Sequence, residues 1–196
     1  MIEVEKKFTL SEAEIEKLTQ GAEFVGEKIF TDTYFDSPDY KLTTRDKWLR
    51  LRGDRFELKL PMNEGKGASD RKLDQYEELD SDDEIRRVLG LKQQGTLRED
   101  LEVCGYKSFA SFTTTRRKFK SGEFVIDLDV MDFGYSIGEI ELMVSDESEM
   151  EQALDRILAF ANKQGLVIAP VRAKVIEFIN RNNADHYEAL KKAGVL

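Results

Sequence analysis

The chain opens on an alternating stretch in which Ile2, Val4 and Phe8 fall on one side and Glu3, Glu5 and Lys7 on the other, the period of a half-buried strand. Ser11 with Glu14 forms a capping-box pattern before Ile15 and Leu18, predicting a short helix that ends near Gly21. Aromatic and β-branched residues over 28–35 predict a second strand, closed by the turn signal Asp36-Ser37-Pro38-Asp39. Runs at 47–52 and 55–60 flank Gly53-Asp54 and read as a hairpin. Its alternation sets Trp48, Arg50 and Arg52 apart from Leu49 and Leu51, and Arg55, Glu57 and Lys59 apart from Phe56, Leu58 and Leu60.

Residues 63–72 have no period and read as a loop, followed by a strand over 73–79 with Tyr76 and Glu78 on one face. Ser81 and Glu84 suggest a second capping box, opening a helix that stops at Gly90; a helical or irregular stretch then leads to Gly105. Strands are expected over 108–120, 124–130 and 135–144, with Asp127 and Asp129, then Glu139 and Glu141, alternating with aliphatics. The remainder is helical: 148–165, a helix that Pro170 could start with Lys174 at the margin of its apolar stripe, and 185–192 with Asp185 and Glu188 as its capping pair.

Charge changes this picture. With 40% hydrophobic and 35% charged residues in 196, the chain can bury a core as one domain, 1–196, yet carries more charge than its surface needs. A net charge of −9 argues against a nucleic-acid partner. One cysteine, Cys104, excludes an intrachain disulfide and reads as a structural thiol; the single histidine, His186, rules out a histidine-based metal site and reads as a surface helix residue. No apolar run approaches the roughly 20 residues of a membrane span and no signal-peptide pattern opens the chain, so a soluble cytoplasmic protein is expected, with a monomer as the default.

Summed over the strands, one face gathers Glu3, Glu5, Glu78, Asp127, Asp129, Glu139 and Glu141 together with Lys7, Arg50, Arg52, Lys59 and Arg116. An open antiparallel sheet with one wet face shows the same alternation. About eight strands can also close into a barrel whose interior takes alternate residues. Charges of both signs in such an interior need partners, since each unpaired buried ion costs several kcal/mol. Arginine and lysine match phosphate oxygens, and acid pairs match a hard divalent cation, so the residue types point to a metal-bound polyphosphate. A network of internal salt bridges would account for the same charges without a ligand.

These residues resemble the CYTH, or triphosphate tunnel metalloenzyme, superfamily. Glu3-Val4-Glu5-Lys6-Lys7 looks like its Glu-x-Glu-x-Lys signature, and Arg50-Leu51-Arg52, Lys59, Glu78, Arg116, Asp127-Leu128-Asp129, Glu139-Ile140-Glu141 and Lys174 follow in order across nearly the whole chain. Asp32-Thr33-Tyr34-Phe35-Asp36-Ser37-Pro38, Trp48-Leu49-Arg50, Asp132-Phe133-Gly134-Tyr135 and the Tyr187 helix look like animal members of its thiamine triphosphatase branch. The resemblance implies an α+β fold built on a closed antiparallel eight-stranded β-barrel with helices outside.

It further implies that Asp127, Glu139 and Glu141, with Asp129 in the same acid set, hold Mg2+ or Mn2+, and that Glu3 and Glu5 serve a second metal position. Lys7, Arg50, Arg52, Lys59, Arg116 and Lys174 would hold the triphosphate, and Trp48 would pack on thiamine, where an aromatic face suits a cationic ring. By default Trp48 is a core residue and Lys174 a snorkelling side chain; the resemblance promotes both. Arg117 and Lys118 beside Arg116 compete for the same role. Glu5, Glu78 and Lys59 are the candidates for the catalytic step. The expected reaction is metal-dependent hydrolysis of thiamine triphosphate to thiamine diphosphate and phosphate. Inorganic triphosphatase, adenylyl cyclase and non-catalytic polyphosphate binding are the alternatives.

Overall fold

A computed structural model describes residues 2–62 and 76–196. The elements follow the order β1 (Ile2–Phe8), α1 (Glu12–Thr19), β2 (Glu23–Asp36), β3 (Trp48–Arg52), β4 (Arg55–Pro61) and β5 (Tyr76–Leu79). Then come α2 (Asp82–Leu89), α3 (Leu97–Val103), β6 (Lys107–Ser121), β7 (Phe124–Met131), β8 (Tyr135–Val144), α4 (Met150–Gln164), α5 (Lys174–Asn182) and α6 (Ala184–Lys192). The fold is α+β, as expected.

The strand order is β1-β8-β7-β6-β2-β3-β4-β5, with antiparallel pairing of β1 to β8, β8 to β7, β7 to β6, β2 to β3, β3 to β4 and β4 to β5. This corrects the expected closed barrel: among the described residues β1 and β5 are the two edges and the ladder does not return on itself. Alternation of charged and apolar residues marks two unlike faces, and an open sheet produces that pattern as readily as a closed one. The predicted loop at 63–72 and the first residues of the strand predicted over 73–79 lie outside the described residues.

The chain groups into two compact units, Met1–Phe30 with Thr113–Lys174, and Thr31–Phe112 with Val175–Leu196. In the first, α4 packs on β1 and β8. Buried there are Val4 and Phe8 of β1, Ile140 and Leu142 of β8, and Ala153, Ile157 and Ala161 of α4 at helical spacing. Full burial of one such large aliphatic stabilises by about 1.5–3 kcal/mol. Gly138, paired with Phe8 and Leu128, leaves room for Leu10: a Cβ there would lie 2.3 Å from Leu10 Cδ1, and that side chain would have to move. In the second unit Phe35, Leu42, Leu49, Phe56, Leu58, Ile85, Leu97 and Leu101 form one cluster joining β2, β3 and β4 to α2 and α3.

Local signals are met in part. Ser11 and Glu14 cap α1 reciprocally, and Gly90 and Gly165 end α2 and α4 in the left-handed conformation. Ser81 precedes α2 without a side-chain cap bond, whereas Thr96 and Glu99 form an unpredicted box at α3. The helix expected after Pro170 starts at Lys174, and α6 is capped by Asn183, which accepts from His186 N–H, rather than by Asp185. Strand β2 begins at Glu23, five residues before the predicted start; Gly26 and the exposed Phe24 and Val25 hid it, since a half without a buried side lacks two-face contrast. Cys104 is exposed at the end of α3. His186 is 0% exposed, overturning its reading as a surface residue.

Candidate active site

In the first unit, register assembles one charged face. Lys7 of β1 lies opposite Glu139 of β8, Glu139 opposite Asp127 of β7, and Asp127 opposite Lys118 of β6. Alongside, Glu5 faces Glu141, and Asp129 faces Arg116. Asp127, Asp129, Glu139 and Glu141 are 0, 1, 4 and 8% exposed, which excludes a wet sheet face for these four acids. The apolar alternates Ile126, Leu128, Ile140 and Leu142 are buried as well, so β7 and β8 are covered on both sides.

Three cations enter this acidic cluster. Arg116 donates to both oxygens of Asp129 at 2.7 Å each and to Glu139 at 2.6 Å, and also contacts Asp127. Lys174, the first residue of α5, bonds Asp129 and reaches Glu139 at 3.5 Å. Lys118 stands 3.1 Å from Asp127 and 3.6 Å from Glu141. Both Asp127 oxygens nonetheless lack an aligned hydrogen bond: the cations beside them make ionic contact without hydrogen-bond geometry. Lys7 pairs with Glu5.

The electrostatics divide the acids. Burial works against ionised Asp129, but hydrogen bonding from Arg116 and the fields of Lys174 and Arg116 outweigh it and lower its pKa. Glu141 is pushed up to about 8, first by burial and then by Glu3, Asp127 and Glu139 against the weaker help of Lys118. Burial also opposes the charge on Arg116, yet Asp129, Glu139 and Asp127 raise its pKa overall.

Asp127, Glu139 and Glu141 each offer an oxygen, all within 4.8 Å of one another, and Glu3, Glu5 and Glu141 form a second such set. Hard carboxylate donors suit Mg2+ or Mn2+. Glu5 and Glu141 stand directly opposite on β1 and β8, each beside a lysine, and bring their carboxylate oxygens to one place. These residues therefore fit a divalent ion. Asp129, expected in the same acid set, bonds Arg116 and Lys174 and lies outside these two groups of three.

The second unit carries a basic row. Arg50 of β3 lies between Tyr34 of β2 and Glu57 of β4, and Arg52 faces Asp32. Trp48 faces Lys59, which faces Glu78 of β5. Arg52 binds Asp32 through both oxygens at 2.6 and 2.8 Å, a fork-to-fork pairing with a fully buried acid. Arg50 bonds Glu57 and donates to Glu78 at 2.9 Å, while Lys59 is 3.6 Å from Glu78. Burial opposes ionisation of Glu78, but Lys59 and Arg50 lower its pKa. Tyr34, stacked on Phe112, has its pKa raised by burial. Trp48 is 7% exposed, and its indole N–H donates to Asp46 at 2.8 Å.

The expected residues thus fall into two groups. Glu3, Glu5, Lys7, Arg116, Asp127, Asp129, Glu139, Glu141 and Lys174 share the first unit; Trp48, Arg50, Arg52, Lys59 and Glu78 share the second. Arg116, not the exposed Arg117, enters the acids, as alternation requires. Lys118, expected as a rival of Arg116, reaches the acids together with it, because i+2 spacing places both on the same face. Sequence reasoning missed Asp32, Glu57 and Asp46, whose roles depend on cross-strand register and a turn.

The chain is 31% identical to a thiamine-triphosphatase of Macaca fascicularis over 208 residues, covering 97% of this chain and 89% of that protein. It is likewise 31% identical to a thiamine-triphosphatase of Homo sapiens over 209 residues, with 97% and 89% covered. A solved structure from Pyrococcus horikoshii superposes with a TM-score of 0.66 at 20% identity, covering 92% of this chain and 99% of that one. A Hippeastrum protein, described as an adenylyl cyclase with a dominant triphosphatase activity, gives 0.62 at 15% identity, with 94% and 97% covered. These two likenesses concern the fold alone. A CYTH domain is matched over residues 1–167, and with this match and the 31% identity to two thiamine-triphosphatases the chain belongs to the CYTH domain family.

Proposed function

We propose that this chain hydrolyses the terminal phosphoanhydride of thiamine triphosphate, giving thiamine diphosphate and phosphate. The observation that carries the reading is the buried carboxylate cluster of Asp127, Glu139 and Glu141 with Arg116, Lys118 and Lys174 among it. Identity to two thiamine-triphosphatases supports the choice of substrate. A divalent cation, Mg2+ or Mn2+, held by Asp127, Glu139 and Glu141, with Glu3 and Glu5 serving a second position, would supply polarisation of phosphoryl oxygens.

The chain's own residues do the positioning. In the first unit Lys7, Arg116 and Lys174, and in the second Arg50, Arg52 and Lys59, are the donors suited to phosphate oxygens, and such cations offset charge on a transferring phosphoryl, the dominant contribution in phosphoryl transfer. Asp32 and Glu57 pre-orient Arg52 and Arg50 for that task. Glu78, held ionised by Lys59 and Arg50, and Glu5, paired with Lys7, are the candidates for taking the proton of the attacking water. Trp48 offers its ring to the thiamine end.

Phosphate release from thiamine triphosphate, tripolyphosphate and ATP, measured side by side with Mg2+, with Mn2+ and with a chelator, tests the reading. Thiamine triphosphate should be turned over fastest and chelation should abolish release. Trp48→Ala should impair thiamine triphosphate selectively; equal loss on tripolyphosphate would make the chain an inorganic triphosphatase.

A further inference from the structure

Trp48 is the one tryptophan of the chain, and a buried acid holds it. Asp46 is 4% exposed, and its Oδ1 accepts from the Trp48 indole N–H and from the Tyr76 hydroxyl, each at 2.8 Å. A buried carboxylate is costly unless its bonds are needed, and this one adopts a left-handed backbone, φ 58° and ψ 29°, that few residues other than glycine, asparagine and aspartate tolerate. We propose that Asp46 is the residue that positions the Trp48 ring for the thiamine end of the substrate, an inference that rests on the reading of Trp48 given above.

The turn carrying Asp46 is built to stay still. Asp36 accepts from the backbone N–H groups of Ser37, Leu42 and Thr43 at 2.7–2.9 Å and from the Thr43 hydroxyl at 2.7 Å. Because that hydroxyl's proton goes to Asp36, its oxygen accepts from His186 Nε2–H, 2.7 Å away. The His186 ring is stacked on Tyr40 at 3.9 Å and meets Phe109 edge-on. Asp46 N–H and Lys47 N–H close the turn on Thr43 and Leu42 carbonyls at 3.0 Å. An indole has two side-chain torsions; β3 sets the direction of the first, and the N–H bond to a fixed carboxylate selects one ring orientation beside Arg50.

The test compares Asp46→Gly, which keeps the left-handed backbone unstrained while removing the acceptor, with Asp46→Asn, which keeps both an acceptor and that backbone. With Mg2+, the glycine variant should lose about ten-fold or more in kcat/KM on thiamine triphosphate, the scale of one charge-assisted hydrogen bond, and less than about two-fold on tripolyphosphate. The asparagine variant should stay near wild type. Fluorescence of the single tryptophan should become more accessible to acrylamide in the glycine variant only.

Unchanged quenching in a folded glycine variant, or equal loss on both substrates, overturns the proposal. If Trp48→Ala is selective for thiamine triphosphate and Asp46→Gly is not, the positioning role fails while the substrate reading stands. If Trp48→Ala is unselective, the substrate reading fails and the role in orientation falls with it. Should the glycine variant not fold, the single indole N–H resonance of the wild-type protein decides: slow exchange upholds the bond to Asp46, and fast exchange overturns it.

Discussion

Removing Arg116 should have opposite effects on metal and on triphosphate. Its guanidinium contacts three carboxylates, Asp127, Asp129 and Glu139, two of which belong to one of the two candidate sets of metal ligands. A divalent ion arriving at Asp127 and Glu139 must displace it or share those oxygens. Two unit charges at 4 Å interact by about 4 kcal/mol at an effective dielectric of 20, but desolvation cancels much of this, leaving about 1.5–3 kcal/mol for a hydrogen bond to a charged group. Arg116→Ala should therefore bind Mg2+ roughly 10- to 100-fold more tightly than wild type while binding tripolyphosphate more weakly. Calorimetric titration with Mg2+ alone and with tripolyphosphate alone measures both, and Arg116→Lys should fall between. The metal-free variant should melt earlier, because three buried acids lose a counter-ion, and Mg2+ should raise its Tm by more than it raises that of wild type. Unchanged or weaker Mg2+ binding in a variant with a native circular-dichroism spectrum would refute the view that the guanidinium and the metal compete.

Two further outcomes follow from burial. His186 is held neutral, its pKa lowered to about 4 by burial against the smaller pull of Asp36. Below its unfolded value near 6.5 the unfolded chain takes up a proton that the folded one refuses, so stability should fall between pH 6.5 and 4, by at most about 3 kcal/mol, and denaturant titrations of His186→Gln should show a flatter dependence over that window. Gly138→Ala should destabilise by about 1–3 kcal/mol in urea titration, since its Cβ would meet Leu10, and it should weaken Mg2+ binding by shifting the adjacent Glu139.

Strands were legible wherever one side was apolar and the other charged, as in β1, β3, β4, β7 and β8. The same contrast grouped the acids correctly with Arg116, because pleating fixes which residues share a face. It could not reveal whether the sheet closes, since closure depends on pairing between strands distant in sequence. Nor could it find Asp32 or Glu57: each is one acid among 39 until register sets it opposite an arginine. His186 was misread because Asp185, Tyr187 and Glu188 around it are polar, whereas its burial comes from Tyr40, Phe109 and Thr43, far away in the chain. Caps depend on backbone geometry as much as on residue type, which is why Ser81 and Asp185 misled while Thr96 with Glu99 gave a readable and overlooked signal.

The pairing of β1 with β8 sets a schedule for synthesis. Ile2 pairs with Val144, so β1 cannot complete its ladder until β8 has been made. At about 5–20 residues per second that delay is roughly 7–30 s. Throughout it, β1 is an unpaired strand with Val4 and Phe8 on one face, a template for pairing with the wrong chain. Glu3, Glu5 and Lys7 on its other face repel such partners, so the residues assigned to metal and phosphate would also protect the nascent chain from aggregation.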